Sequence, residues 1–352
     1  MRPAIASIQT DNLVHNYRLL MHRAGKAKVM AVVKANAYGH GLELVAPALF
    51  EAGCRHFAVT DAVEGAKARS LLPQAESIVL LSGIFDAADA ELAVNHNLTP
   101  TIVEPFQVEL LNKASFSGDV WIKINTGMQR LGANDSEALI AQCSDSGISL
   151  AGIMSHLACA DAPEHPLNRV QCDEFIALHM TLASHAPASL LNSAGMVSLP
   201  EHAFDFVRPG LALYGVEPIS VEPLGLKPVM QFYGEVMQIR QVEKGAGISY
   251  GASFTAPHDM SVAVISLGYG DGLPRLLSNS GCAMFHGNRL PIVGRVCMDF
   301  CLLDCSDTNI KAGDRVEFWG GKISVSEIAE ALGTIAYELF TGVNERVFRR
   351  SL

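Results

Sequence analysis

Eight apolar segments recur along the first 215 residues with helical stretches between them, and this recurrence constrains the fold more than any other feature of the chain. They read "KVMAVVK" (28–34), "HFAVTD" (56–61), "SIVLLSG" (77–83), "LTPTIV" (98–103), "DVWIKIN" (119–125), "LAGIMSHL" (150–157), "ASLLNSA" (188–194) and "DFVRPGLALYG" (205–215). The first is apolar on both faces, as in a parallel sheet covered by helices. A closed (β/α)8 barrel takes about 200 to 250 residues, which this run matches. A doubly wound sheet would place a GxGxxG turn early in the chain, and the sequence has none.

After about residue 220 the texture changes to strands joined by Gly-rich turns: "MQFYGEVMQIRQV", "SVAVISLGYGDG", "LPIVGRVCMDFCLLDC" and "DRVEFWGG". The expected division is therefore a (β/α)8 barrel over 1–220 and a mostly β domain over 221–352, with the first few residues candidates to join the second. A helix is expected over 11–24, capped by Asp11 or Asn12. Ser324 and Glu327 have capping-box spacing before "IAEAL".

Composition narrows the partners. A formal charge of −10 and the absence of a Lys/Arg-rich block argue against nucleic acid and anionic membranes. The start lacks a secretory apolar core, and no run of about 18 apolar residues spans a bilayer, so a cytoplasmic protein is expected. Apolar residues at 49% against 18% charged lean toward a buried assembly interface. Eight cysteines without a CxxC pair indicate reduced thiols rather than a metal site or disulfide framework.

Lys34 ends the first apolar segment. Catalytic groups of such barrels sit at the carboxyl ends of the strands. There an amine held among apolar neighbours loses hydration, its pKa falls, and it becomes able to attack a carbonyl. The plainer reading is a lysine whose stem follows the strand and whose head reaches water.

Motifs further along decide between these. "AVVKANAYGHG", "KINTGMQRLG" (123–132), "SHLACAD" (155–161), "NSAG" (192–195), "RPGLALYG" (208–215), "ISYG" (248–251), "GYGDGLPR" (268–275) and "VGRVCMDF" (293–300) occur in one order across essentially the whole chain. In this the chain resembles the fold-type III pyridoxal phosphate (PLP) enzymes, and within them the alanine racemases. The resemblance implies interconversion of L- and D-alanine for peptidoglycan precursors by a homodimer with two composite active sites.

It also implies roles. Lys34 would carry PLP, Tyr38 would reach the phosphate, and Ser193, Gly210 and Leu211 would cradle it. Arg208 would donate to the pyridine nitrogen and His156 would be linked to Arg208. A guanidinium does not give up its proton, so that nitrogen stays unprotonated. Inverting a stereocentre needs a proton removed on one face and delivered on the other, hence a second base. The family places Tyr250 of the partner subunit there. A phenol ordinarily titrates near pH ~10 and so needs a nearby donor or positive field. Arg130 matches a carboxylate-binding arginine, helped by the backbone N–H of Met298 from the partner. Lys123 matches a lysine that many relatives carbamylate, which would attract Arg130 where an ammonium repels it. Tyr269 would narrow the entrance, with Asp161, Arg275 and Arg295 along the outer corridor.

One position departs from the pattern. Many relatives carry a second phosphate-binding tyrosine in the segment that here reads "GVNERVFRR" (342–350), where Glu345 stands. The only tyrosine beyond Tyr269 is Tyr337, expected in a helix. Three other readings share part of the evidence: a racemase acting on serine or a basic amino acid, a fold-type III decarboxylase, and a non-catalytic PLP carrier. The decarboxylase should show a Gly-rich phosphate loop that is not found, and the carrier should lack "ISYG" and "GYGDG".

Overall fold

The structure, a computed structural model, describes residues 3–219 and 223–352. The expected boundary between residues 220 and 221 lies outside the described residues. The chain forms two compact units. One comprises Leu13–Ala37 and Val45–Leu226; the other comprises the residues up to Asn12, Tyr38–Leu44 and Lys227–Leu352.

The first unit is the barrel. After β1 (Ala4–Ile8), which belongs to the other unit, come β2 (Lys28–Val32), β3 (His56–Val59), β4 (Ser77–Leu80), β5 (Thr99–Ile102), β6 (Asp119–Lys123), β7 (Ser149–Met154), β8 (Ala188–Asn192) and β9 (Phe206–Arg208). They form a closed ring in chain order, shut by parallel pairing of Lys28 with Phe206 and Val29 with Val207. The eight apolar segments are these eight strands. Their Val, Ile and Leu side chains, all but the half-buried Leu150, are buried because the barrel fills its inside and helices cover its outside. Asp61, Asp86 and Asp135 cap intervening helices by accepting the N–H groups of Glu64, Asp89 and Ala138, each cap worth about 1 kcal/mol. The first helix runs Thr10–Ala24, one residue longer than expected, so Asp11 lies in its first turn rather than at the cap.

The second unit is mostly β. Its long strand β10 (Met230–Val242) pairs antiparallel with β1 and with the strands Met260–Ile265 and Arg315–Trp319. The final strand Phe348–Ser351 joins β1 in parallel. The first few residues, candidates to join the second domain, enter this unit as β1, whose five buried residues show no alternation and so gave no strand signal of their own. Ser324 caps the helix Val325–Leu332 through the Glu327 N–H, and Tyr337 lies in the helix Ala336–Thr341. All eight cysteines are free thiols.

Candidate active site

Lys34 stands two residues beyond β2, and the backbone after it is unusual. Ala35, Asn36 and Ala37 have φ of 52°, 54° and 55°, with ψ near 50°, and Tyr38 follows at φ 50°. Four successive L-residues in the left-handed region cost about 1–2 kcal/mol each and persist only where other contacts hold them. Two such contacts are in the barrel unit. The Ala35 N–H donates to Glu64 Oε1 at 2.6 Å while Glu64 Oε2 accepts the Thr60 N–H at 2.9 Å. The Ala37 N–H returns to the Val33 carbonyl at 2.9 Å. Glu64 was not among the expected site residues. Its only signal is the Asp61-x-x-Glu64 spacing, which by itself points to helix capping and not to a site.

Cations gather at this end of the barrel. Arg208 is the last residue of β9 and is buried. Its guanidinium donates to Ser189 Oγ and to the carbonyls of Ser155 and Leu190, all neutral acceptors. Burial lowers its pKa to about 10, so it stays charged at neutral pH. Lys123, the last residue of β6, is 7% exposed, and its Nζ donates to the Leu81 carbonyl at 3.3 Å. Burial, then Arg208, Arg130 and Lys34, push it down to about 7. Burial and Arg130 also lower Lys34, against the opposing pull of Glu64. A buried guanidinium with neutral partners, beside a lysine half-way to losing its proton, favours an anionic guest. PLP carries a phosphate and an aldehyde, and an amino acid carries a carboxylate. The donor set fits both.

His156 lies two residues past β7. Gln171, fully buried on the helix Pro166–Leu182, donates to the His156 carbonyl at 2.9 Å and accepts the Ala158 N–H at 2.9 Å, which fixes this turn. Burial, then Arg208, Lys123, Arg130 and Lys34, hold the imidazole well below its ordinary value. It is neutral at pH 7, with one N–H to donate. Ser193 is buried, and its Oγ accepts the N–H groups of Gly210 at 2.9 Å and Ala212 at 3.3 Å. Leu211 opens the 3-10 turn Leu211–Tyr214, where leading amides have no intrahelical acceptor. Arg130 is exposed at the end of a loop shaped by Asn125, whose Oδ1 accepts the Gly127 and Gln129 amides at 3.2 Å each. Asp161 is exposed beyond β7. The barrel thus brings together Lys34, Lys123, Arg130, His156 and Arg208: the neighbouring cations add to burial in lowering Lys34, Lys123 and His156.

Tyr38 groups with the β-rich unit. Its ring centroid lies 5.6 Å from that of Tyr337, tilted by 44°. Burial and Tyr337 raise the Tyr38 phenol above the ordinary range. Glu345 is exposed. Arg349, which the sequence did not single out, donates to the carbonyls of Gly39 and Val343 at 2.7 Å each, and of Asn344 at 3.1 Å. It ties Gly39 to the C-terminal segment within the β-rich unit. Gly39 has φ +76°, and a Cβ there would meet the Phe340 carbonyl oxygen at 2.0 Å.

Elsewhere in the same unit, Tyr250 is 71% exposed on the 3-10 turn Tyr250–Ala252. Ser249 Oγ beside it donates to the Arg295 carbonyl at 2.7 Å. Arg295 and Arg275 are both exposed. The Tyr269 N–H donates to the Cys297 carbonyl and the Gly270 N–H to the Met298 carbonyl, both at 2.9 Å. Because a trans peptide sets its C=O and N–H in opposite directions, anchoring the Cys297 carbonyl aims the Met298 N–H away from the Tyr269 loop. Gly268 permits this approach: a Cβ there would meet the Cys297 oxygen at 2.3 Å. Cys297 thus lies in a loop, whereas Cys301 begins the strand Cys301–Asp304.

A closed parallel barrel with a desolvated amine and a ring of cations at its carboxyl end places the protein among the (β/α)8 enzymes. The chain belongs to the alanine racemase family. Models of the alanine racemase N-terminal and C-terminal domains match residues 8–218 and 229–351. It is 36% identical over 349 residues to the alanine racemase of Vesicomyosocius okutanii, covering 97% of each chain. It is 38% identical over 360 residues to the biosynthetic alanine racemase of Pseudomonas aeruginosa, covering 99% of each. The crystal structure of biosynthetic alanine racemase from P. aeruginosa superposes with a TM-score of 0.92 at 37% identity, covering 100% of both chains. That of alanine racemase from Bartonella henselae with covalently bound pyridoxal phosphate gives 0.92 at 34%, again covering both completely.

Proposed function

We propose that this protein is a PLP-dependent alanine racemase that interconverts L- and D-alanine and supplies D-alanine for peptidoglycan. The observation that carries the reading is the Lys34 amine, depressed by burial among cations at the barrel's carboxyl end, in a chain matched along both domains by one family. When bound, PLP supplies a carbonyl for an amine and a ring that withdraws electrons from the α-carbon. Lys34 would anchor it, Ser193, Gly210 and Leu211 would receive the phosphate, and Tyr38 would be a further phosphate donor, as the family resemblance implies. Arg208, charged and donor-only, would donate to the ring nitrogen and so leave it unprotonated, which would favour return of the α-proton over transamination.

Lys34 Nζ takes or returns the α-proton on one face. The phenol oxygen of Tyr250 from a second copy does so on the other, with neutral His156 as a hydrogen-bond donor and Arg208 behind it as the positive field. Arg130 binds the substrate carboxylate, assisted by the Met298 N–H of the second copy. A neutral Lys123 amine adds to carbon dioxide, forming an N–C bond and releasing one proton. The carbamate then pairs with Arg130. Tyr269 narrows the entrance, and Asp161, Arg275 and Arg295 line its approach. Exposure of Tyr250 and Met298 supports a homodimer. A cytoplasmic setting agrees with the lack, among the described residues, of a helix long and apolar enough to cross a membrane.

Borohydride reduction of the PLP-loaded protein should fix a pyridoxyl group on Lys34, read by peptide mapping; a label on another lysine would overturn the assignment. Incubation with each L-amino acid, scored by chiral chromatography, should give D-alanine fastest.

A further inference from the structure

Arg346 has no role in the reading above, yet it makes more connections between loops than any residue assigned to the entrance. Its Nε donates to Asp271 Oδ1 at 2.8 Å. Its Nη2 donates to Asp299 Oδ1 at 3.0 Å and to the Met298 carbonyl at 3.2 Å. Asp271 is itself buried, and its second oxygen accepts the Gly268 N–H at 2.9 Å, while its carbonyl accepts the Asn344 N–H at 3.2 Å. One planar guanidinium therefore joins three pieces of backbone: the Gly268–Gly272 turn, the Met298–Asp299 loop and the 344–346 segment. The fork geometry matters, because two carboxylates and a carbonyl are met from one rigid plane, which a single ammonium cannot reproduce. Gly270 leaves room for it: a Cβ there would lie 2.4 Å from Arg346 Nη2.

We propose that Arg346 is a positioning residue for the substrate entrance. Gripping both loops at once, it fixes the spacing of the Tyr269 ring from the Met298 N–H, and with it the width of the opening and the register of the substrate carboxylate. This rests on the assignment of Tyr269 and Met298 to the entrance of an alanine racemase. Asp271 is the buried anchor and Asp299 the half-buried outer leg, so losing the arginine frees a buried carboxylate and two loops together.

The test compares wild type, Arg346→Lys, Arg346→Ala and Asp299→Asn in steady-state racemisation of L-alanine and L-serine, with thermal melting in parallel. Arg346→Ala should raise KM for alanine about tenfold and leave kcat within about threefold. It should also narrow the alanine-over-serine preference in kcat/KM several-fold. Arg346→Lys should recover less than half of the KM effect, and Asp299→Asn should show a smaller shift of the same sign. Unchanged KM and unchanged preference in a folded Arg346→Ala enzyme would overturn the proposal, as would full rescue by lysine or a kcat loss alone. Should Arg346→Ala fail to fold, Asp299→Asn and Arg346→Lys decide by the same readouts. Wild type without alanine racemisation would sink the functional reading itself, a result distinct from any of these.

Discussion

In the barrel, Arg208 and Lys123 are buried with their donors on neutral oxygens, whereas in the β-rich unit Tyr250, Met298 and Tyr269 stand 71%, 53% and 42% exposed. The barrel tunes its groups by removing water, which lowers Lys34, Lys123 and His156 together. The β-rich unit tunes by placement: main-chain bonds lock one loop onto another and hold exposed side chains at set spacing. Desolvated cations are costly to fold and reactive once folded. Exposed phenols cost little and become useful when a second surface covers them. The proposed two-sided proton transfer would suit this division, with one base prepared by burial and the other delivered by assembly.

The largest expected effect tests the buried side. Lys34→Ala should cut kcat for racemisation by at least about 10³-fold, since on the proposed reading it removes the cofactor anchor and one base at once; activity within tenfold of wild type would end the barrel's claim to the chemistry. Tyr250→Phe should cost about 10²-fold or more, with α-proton exchange lost more for one alanine enantiomer than for the other. Equal loss in both directions, followed by solvent deuterium uptake, would count against two bases. Mixing Lys34→Ala with Tyr250→Phe chains should restore some activity through hybrid sites. If subunits demonstrably exchange and none returns, the exposed side does not serve a second copy.

How legible this was depended on the kind of interaction. The barrel could be read because eight strands buried on both faces leave eight apolar runs, whatever residues lie at their ends. Lys34 stood out because a charge ending such a run breaks the pattern. Glu64, Ser189, Gln171 and Arg346 did not stand out, because each acts on backbone or on another side chain distant in sequence: Gln171 reaches His156 across 15 residues, and Arg346 reaches Asp271 across 75. The left-handed turn after Lys34 was equally hidden. Asn36 tolerates this conformation as a single residue, but Ala35 and Ala37 favour no such conformation, and only tertiary contacts impose the run.

Lys123 sharpens the comparison through pH. Its folded pKa of about 7 lies below the ordinary 10.5, so between those values the unfolded chain binds more protons than the native one and stability rises with pH. The lysine's full contribution is present above 10.5 and is lost as pH falls toward 7. In buffer free of carbon dioxide, Lys123→Met should therefore exceed wild type in stability at pH 7, and the gap should close by about 1 kcal/mol per unit on raising the pH toward 10. Urea melts at four pH values measure it. Bicarbonate should narrow the gap at pH 8 if the carbamate forms; a gap independent of pH would show that Lys123 is not desolvated.

The smallest effect concerns the backbone between the two regions' signatures. Ala35 is exposed yet left-handed, so its methyl gains nothing from burial and carries the steric cost that glycine avoids. Glycine also loses more entropy on folding, which offsets part of the relief. Ala35→Gly should therefore raise stability by no more than about 1 kcal/mol, while the Ala35 N–H bond to Glu64 survives. Glu64→Gln should act in the opposite sense: it keeps one accepting oxygen where the Ala35 and Thr60 N–H groups need two, and it removes the charge that supports the Lys34 ammonium, lowering the Lys34 pKa further. If Ala35→Gly also slows racemisation without loss of stability, the strained turn fixes the direction of Lys34. Unchanged kcat would make the turn a consequence of packing alone.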